Sequence, residues 1–308
     1  MTVVVVKDRY TLDKRIGQGT QSFVYRGRDL VDNRTVAVKQ IMCEQTASMC
    51  WPLTSLGANF REVSSLVLLM KKRSQHIVRL LDVVSSSDRL SLVFENCDEN
   101  LSRFIRRSKT DGIYGRLRPS VVRDFSHQLI SGMAVVHGEW IIHRDIKPEN
   151  IFVRKGVLKI GDFGLSKQYS YPAPPETLEV ASLWYRAPEV LLRTGYDVGM
   201  DLWSIGCVIG EMVRGKPMFT ADTECGLLQQ IVCEMFDPSV ESWKLLEGVL
   251  GCGQKDDRMS RLKRQICSNV GYEGLDLILG FLEYDSNKRL RCDEALRHDY
   301  FENSENLV

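Results

Sequence analysis

The sequence predicts an α+β chain in two lobes: a small antiparallel β-sheet with one main helix over 1–96, and a larger, mostly helical lobe over 97–308. Three observations carry that expectation. Residues 7–42 form short alternating or β-branched runs broken by Gly and Asp-Asn turn signals. Helical apolar spacing then begins at Val63, Leu66, Val67 and Met70, and a longer series runs through Val121, Phe125, Leu129, Met133 and Val136. Near 96–100 the apolar period shifts from two towards helical, which marks the expected boundary. The 308 residues exceed one typical domain and leave ample core for two such units.

Taken in order, YTLDKRIG, QSFVYRGRDL and RTVAVKQIM read as three strands. The first turn holds GQGTQS at 17–22, where glycines allow a backbone to close over phosphates with no Cβ in the way. Residues 43–58 lack a clear period, contain Pro and Gly, and are expected to be a loop. The helix of NFREVSSLVLLMKK follows, then strands in HIVRLLDVV and DRLSLVFEN separated by Ser-Ser-Ser-Asp. A long buried helix is expected from Pro119. Beyond it, Ile151–Val153 and Val157–Ile160 should form a strand pair around Lys155-Gly156.

Composition excludes several classes of function. Apolar content of 44% and charged content of 26% are those of an ordinary soluble globular protein. A net charge of +1 gives no reason to expect direct nucleic-acid binding or membrane attraction. The basic clusters at 71–73, 103–107 and 258–264 read as solvated faces. Nine scattered cysteines with no C-x-x-C pair argue against a disulfide framework and a zinc site, and for a reducing compartment. The valines at 3–6 are too few for a signal peptide, and no apolar run approaches the roughly 20 residues of a membrane span. A soluble, intracellular protein is expected.

The chemistry concentrates in HRDIKPEN at 143–150 and DFG at 162–164. Phosphoryl transfer is mostly positioning and charge neutralisation, and this stretch supplies the needed groups. Asp145 could accept the proton of an incoming hydroxyl, and Lys147 could neutralise the moving phosphoryl group. Asn150 and Asp162 offer hard oxygen ligands that suit Mg²⁺. The ordered set resembles the catalytic loop and metal-binding turn of protein kinases.

That resemblance covers about 10–301 and implies the two-lobed protein kinase fold, with ATP and Mg²⁺ in the cleft between an N-terminal lobe (1–96) and a C-terminal lobe (97–308). It implies that Ile16, Gly17, Gln18, Gly19 and Val24 cover the nucleotide. Val36-Ala37-Val38-Lys39 resembles the kinase strand whose lysine holds the α- and β-phosphates, with Glu62 as its helix partner. Phe94 would back the adenine pocket, and Glu95 and Cys97 would act by backbone position, not by side chain. Phe152 stands where the family usually has a smaller aliphatic floor, and Ser22 replaces the third glycine. His143 would be structural and Arg144 a phosphate receiver.

Within the kinases the chain resembles the cyclin-dependent family. The carrying segments are Phe60-Arg61-Glu62, Leu183-Trp184-Tyr185-Arg186 before Ala187-Pro188-Glu189, Asp201 to Cys207, and LEYDSNKRL, whose Arg289 would pair with Glu189. The resemblance implies a cyclin partner and an upstream activating kinase acting at Thr177. Arg61, Arg144 and Lys167 would surround its phosphate. Ser182 and Arg186 would shape the substrate site, giving a proline-directed Ser/Thr kinase for Ser/Thr-Pro sites. SLGANFRE in place of PSTAIRE, with HGEWIIHRD and YDVGMDLWSIGC, resembles the activating and transcription-associated branch. Gln21 replaces an inhibitory tyrosine, and 236–274 is short for the family insert. Two other readings stay open: a cyclin-independent kinase of the same group, and a pseudokinase scaffold.

Overall fold

The structure is a computed structural model that describes residues 4–6, 8–19, 22–42, 53–86, 89–110, 112–169, 182–235 and 258–302. Thr177, Gln21 and residues 236–257 lie outside the described residues.

The first lobe is one antiparallel sheet. Its strands are β1 (Val4–Val6), β2 (Tyr10–Gln18), β3 (Ser22–Asp29), β4 (Arg34–Met42), β5 (Leu80–Ser85) and β6 (Arg89–Glu95), in the order β1-β2-β3-β4-β6-β5. Alternation decides which face is dry: Val36 and Val38 of β4 are buried with Tyr10, Leu12, Val84 and Val93 in a compact cluster. Ala37 and Lys39 therefore point to the other face, towards the cleft.

Helix α1 (Leu53–Met70) joins the lobes. It begins inside the stretch expected as loop, because LTSLGA follows Pro52, and a proline is tolerated just ahead of a first helical turn. Gly57 sits within the helix instead of breaking it. The buried side chains beyond residue 60 are Glu62, Ser65, Leu66 and Leu69, at helical i, i+3, i+4, i+7 spacing. Val67, expected among the packed positions, is 47% exposed, because the inward face is turned to bring Glu62 in. Leu66 and Leu69 join the large core of the second lobe, not the cluster of the sheet.

After β6, the short strand β7 (Glu99–Asn100) leads into α2 (Leu101–Arg107), and the small hairpin β8 (Lys109–Thr110) and β9 (Ile113–Tyr114) follows. Asn100 caps α2 by accepting from Arg103 N at 3.0 Å. Helix α3 (Pro119–Gly138) has proline in its first turn and buries Val122, Phe125, Leu129, Ile130, Met133 and Val136. Val121, one residue off the inner face, is only half-buried. Strands β10 (Ile141–Ile142), β11 (Ile151–Arg154), β12 (Val157–Ile160) and β13 (Lys167–Gln168) frame the catalytic segment. The β11–β12 turn places Lys155 and Gly156 at positive φ, as a two-residue hairpin demands.

Short α4 (Pro188–Leu191) precedes α5 (Gly199–Arg214), the axis of the second lobe, in which every residue except Arg214 is buried. Gly215 closes it with φ 74° and donates its N–H to Glu211 O at 2.7 Å. Helix α6 (Glu224–Met235) and the helix Arg258–Phe281, broken at Gly271, complete the packing. Cys97, Cys207, Cys225, Cys267 and Cys292 are free thiols. Cys233, by contrast, is disulfide-bonded, against the expectation drawn from the scattered cysteines. No helix among the described residues is long and apolar enough to cross a membrane.

Candidate active site

Two backbone frameworks meet at the cleft. In the sheet, register places Gly17 opposite Val24, Val24 opposite Lys39, and Ala37 opposite Phe94. Gly17, Val24, Ala37 and Phe94 are half-buried, whereas Ile16, Gln18 and Gly19 are exposed at the rim. Gly19 N donates to Ser22 O at 2.8 Å, and a Cβ on Gly19 would meet Ser22 Oγ at 2.8 Å. A side chain at 19 would thus have to turn the Ser22 hydroxyl aside.

Lys39 reaches across to α1 and to the turn at Asp162. Its Nζ lies 2.8 and 3.0 Å from the Glu62 carboxylate and 2.9 Å from Asp162 Oδ1. Burial alone would lower the ammonium's pKa, but the two carboxylates outweigh it and hold it well above its ordinary value. Burial likewise presses the Asp162 carboxyl upward, and Lys39 reverses that to a net lowering. Asp162 adopts a left-handed backbone (φ 56°, ψ 70°), and its side chain is 45% exposed.

The second framework rises from α5. Asp201, fully buried near the start of that helix, accepts from His143 N at 2.8 Å and Arg144 N at 2.9 Å, and lies 3.0 Å from His137 Nε2. It therefore holds the catalytic loop from beneath, with Arg144 at φ 68°. His143 Nε2 donates to Gly161 O at 3.0 Å and its Nδ1 accepts from Asp145 N at 3.3 Å, while its ring packs 4.8 Å from Phe163. Both nitrogens serve the backbone, as expected of a structural histidine.

Asp145 sits at the convergence. Asn150 Nδ2 donates to its carbonyl (2.9 Å) and to Oδ2 (2.7 Å), Lys147 Nζ lies 2.8 Å from Oδ2, and Ser182 N donates to Oδ1 at 3.3 Å. Lys147 also donates to Ser182 Oγ at 2.7 Å. A carboxylate held this way keeps one direction, which a base accepting a hydroxyl proton requires. Asn150 spends its amide nitrogen on Asp145 and so has its oxygen to offer a cation; with exposed Asp162 this makes a hard oxygen pair that fits Mg²⁺ shared with phosphate. Among the described residues no cluster of three or more His, Cys, Asp or Glu forms a metal cage.

At the hinge, burial pushes the Cys97 thiol up to about 12, so it is neutral at ordinary pH and acts by place and packing. Glu95 does more than its position suggested. Its buried carboxylate accepts from Arg79 N at 2.9 Å and pairs with Lys159 at 2.9 Å and with Arg154. Lys159 also donates to Gln75 O at 2.7 Å, so the Glu95 side chain ties the hinge to β11, β12 and the turn after α1. Sequence reasoning missed this and the role of Asp201. An acid within an otherwise apolar helix was the signal for Asp201, since such groups are rarely buried without partners.

The activation strip is anchored downstream. Arg289 pairs bidentately with Glu189 at 2.6 and 2.7 Å, as expected, and also donates to Gly199 O at 2.8 Å. Arg186 pairs with Glu224 at the start of α6. Arg61 is exposed on α1; Arg144 Nε donates to Leu165 O at 2.6 Å; Lys167 lies in β13 opposite Ile142. Thr177 is outside the described residues.

The protein kinase domain family matches residues 10–301. Cell division control protein 2 homolog 1 of Trypanosoma brucei brucei is 34% identical over 307 residues, covering 95% of this chain and 98% of that protein. With this geometry and these similarities, the chain belongs to the eukaryotic protein kinases of the cyclin-dependent kinase family and is an ATP-dependent serine/threonine protein kinase.

Proposed function

We propose that this kinase is proline-directed, Mg²⁺-dependent, and switched on by a cyclin and by phosphorylation at Thr177. The observation that carries the transfer step is the Asp145–Lys147–Ser182 network, which sets the substrate strip against the base. Asp145 would accept the hydroxyl proton, Lys147 would stabilise the transferring charge, and Lys39, aimed by Glu62, would hold the α- and β-phosphates. Asn150 and Asp162 would hold Mg²⁺, which neutralises phosphate charge when bound. Ile16 to Gly19, Val24, Ala37, Phe94, the Glu95 and Cys97 backbone, and Phe152 would enclose the nucleotide. The lobes would divide at 96/97.

Support for the phosphate switch is convergence of elements. Ser166, next to Lys167, shares a 3.0 Å hydrogen bond with Ser65 on α1, one turn beyond Arg61. β13 pairs with β10, which leads directly to Arg144. These three cations could neutralise a phosphate at Thr177. Arg186, pinned by Glu224, supports a fixed surface for proline after the target residue. The name of the trypanosomal relative supports a role in cell-division control, and nuclear or cytoplasmic residence follows from that reading. A cyclin-independent reading has its own support: α1 is docked by contacts within the chain, through Glu62, Ser65, Leu66 and Leu69.

The deciding experiment is phosphate transfer from Mg-ATP to matched Ser-Pro and Ser-Ala peptides, with Asp145→Asn as control. The chain is assayed alone, then with candidate cyclins and an activating kinase. Selective Ser-Pro transfer that rises on cyclin addition is expected; full activity alone selects the cyclin-independent reading, and equal use of both peptides refutes proline direction.

A further inference from the structure

Gly161, the residue before Asp162, is a glycine for reasons of space. Its φ is not positive, so its backbone makes no demand for glycine. A Cβ there would stand 2.8 Å from Phe152 Cε2, 3.1 Å from Phe152 Cδ2 and 3.0 Å from Val78 Cγ2. Carbon atoms do not approach so closely, so an added methyl must displace something.

The backbone at Gly161 cannot yield cheaply. Its N–H donates to Asn150 O at 2.9 Å, and its carbonyl accepts from His143 Nε2 at 3.0 Å. Val78 is equally held, with its N–H on Ile160 O at 2.8 Å and its side chain buried. The remaining body is the Phe152 ring. Phe152 lies on β11 between buried Ile151 and Val153, opposite Lys159 on one side and Asn100 on the other. Alternation turns its half-buried ring away from that core.

We infer that Phe152 and Gly161 are one interlocked unit: Gly161 is a positioning residue whose missing Cβ seats the Phe152 ring, and the seated ring sets nucleotide affinity. The inference rests on the cleft assignment above and deepens it. Gly161 links that floor directly to Asp162, so ring and metal-binding turn share one backbone joint.

The test is a cycle of wild type, Gly161→Ala, Phe152→Leu and the double variant, each measured for KM(ATP), kcat and melting temperature. Gly161→Ala is expected to raise KM(ATP) by about tenfold, the scale of a displaced binding contact, with kcat changing less. The double variant should return to within about twofold of Phe152→Leu alone, because leucine leaves room for the methyl. Additive losses in the double variant would overturn the inference. Should Gly161→Ala not fold, recovery of folding and of KM(ATP) in the double variant carries the same result, and its failure the opposite one. With candidate cyclins and an activating kinase present throughout, absence of saturable ATP use by wild type would sink the cleft assignment and the inference with it; saturable use without recovery sinks the inference alone.

Discussion

The two halves of the catalytic site are built to different standards of rigidity. From the helical lobe, the loop bearing Asp145 rests on α5, buried along nearly its whole length, through Asp201's two backbone hydrogen bonds and its contact with His137. From the sheet lobe, Lys39 depends for its aim on Glu62 and so on α1, whose outer face (Arg61, Ser64, Val67) is exposed. Among the described residues, the Ser65–Ser166 hydrogen bond ties α1 to the activation segment. The comparison teaches where control can act without damage to the chemistry. A deeply buried polar network is costly to disturb, whereas a helix held by few polar ties can shift for a small free energy.

The largest expected effect is at the base. Asp145→Asn should lower phosphate transfer by about 10³-fold, within the range for a lost general base. Nucleotide affinity should move only a few-fold, as read by single-turnover transfer beside nucleotide titration. Equal loss of both would place Asp145 in nucleotide binding instead. Next comes the anchor beneath it: Asp201→Ala leaves two buried N–H groups unpaired and should cost about 3 kcal/mol of stability, read from urea midpoints. A loss under about 0.5 kcal/mol, the scale of an ordinary surface change, would show the loop to be held by other contacts.

A third prediction concerns Glu211, also on α5, whose carboxylate accepts from Tyr185 OH at 2.7 Å. Burial raises its pKa to about 7, with Tyr185 opposing, Glu149 adding to the rise and Arg106 reducing it. Since the folded value lies above the ordinary 4.5, the native state holds an extra proton between those values. That contribution favours folding at low pH and is lost as pH rises through about 7. Glu211→Gln carries no such charge, so its stability relative to wild type should grow from pH 5 to pH 8, by up to about 3 kcal/mol. A difference constant over that range would mean that Glu211 titrates normally.

The smallest effect lies in the other half. Ser65→Ala removes one hydrogen bond worth about 1 kcal/mol. It should reduce transfer about fivefold, the Boltzmann equivalent of that energy, while the global melting temperature changes by less than about 3 °C. A parallel fall in melting temperature would make α1 part of the rigid half and remove the contrast.

How far the sequence reached follows the same division. Hairpins, the long helix at 119–138 and the loop residues 143–164 were legible because local period and motif encode them. The Arg289–Glu189 pair, a hundred residues apart, was reached only through family resemblance. The start of α1 was hidden by Pro52 and Gly57, which read as loop until tertiary packing is known. Glu95's carboxylate, Asp201's grip on the loop and the Phe152–Gly161 interlock were not legible. Each depends on which distant strands and helices converge, and no local pattern reports that.

Native-state hydrogen exchange, resolved along the chain, tests the contrast most directly. The account predicts that amides of α5 (Gly199–Arg214) exchange only through global unfolding, while those of α1 (Leu53–Met70) exchange through a smaller opening that a bound cyclin raises. Identical opening free energies for the two helices would contradict it, and would make the Lys39–Glu62 pair as fixed a part of the molecule as Asp201.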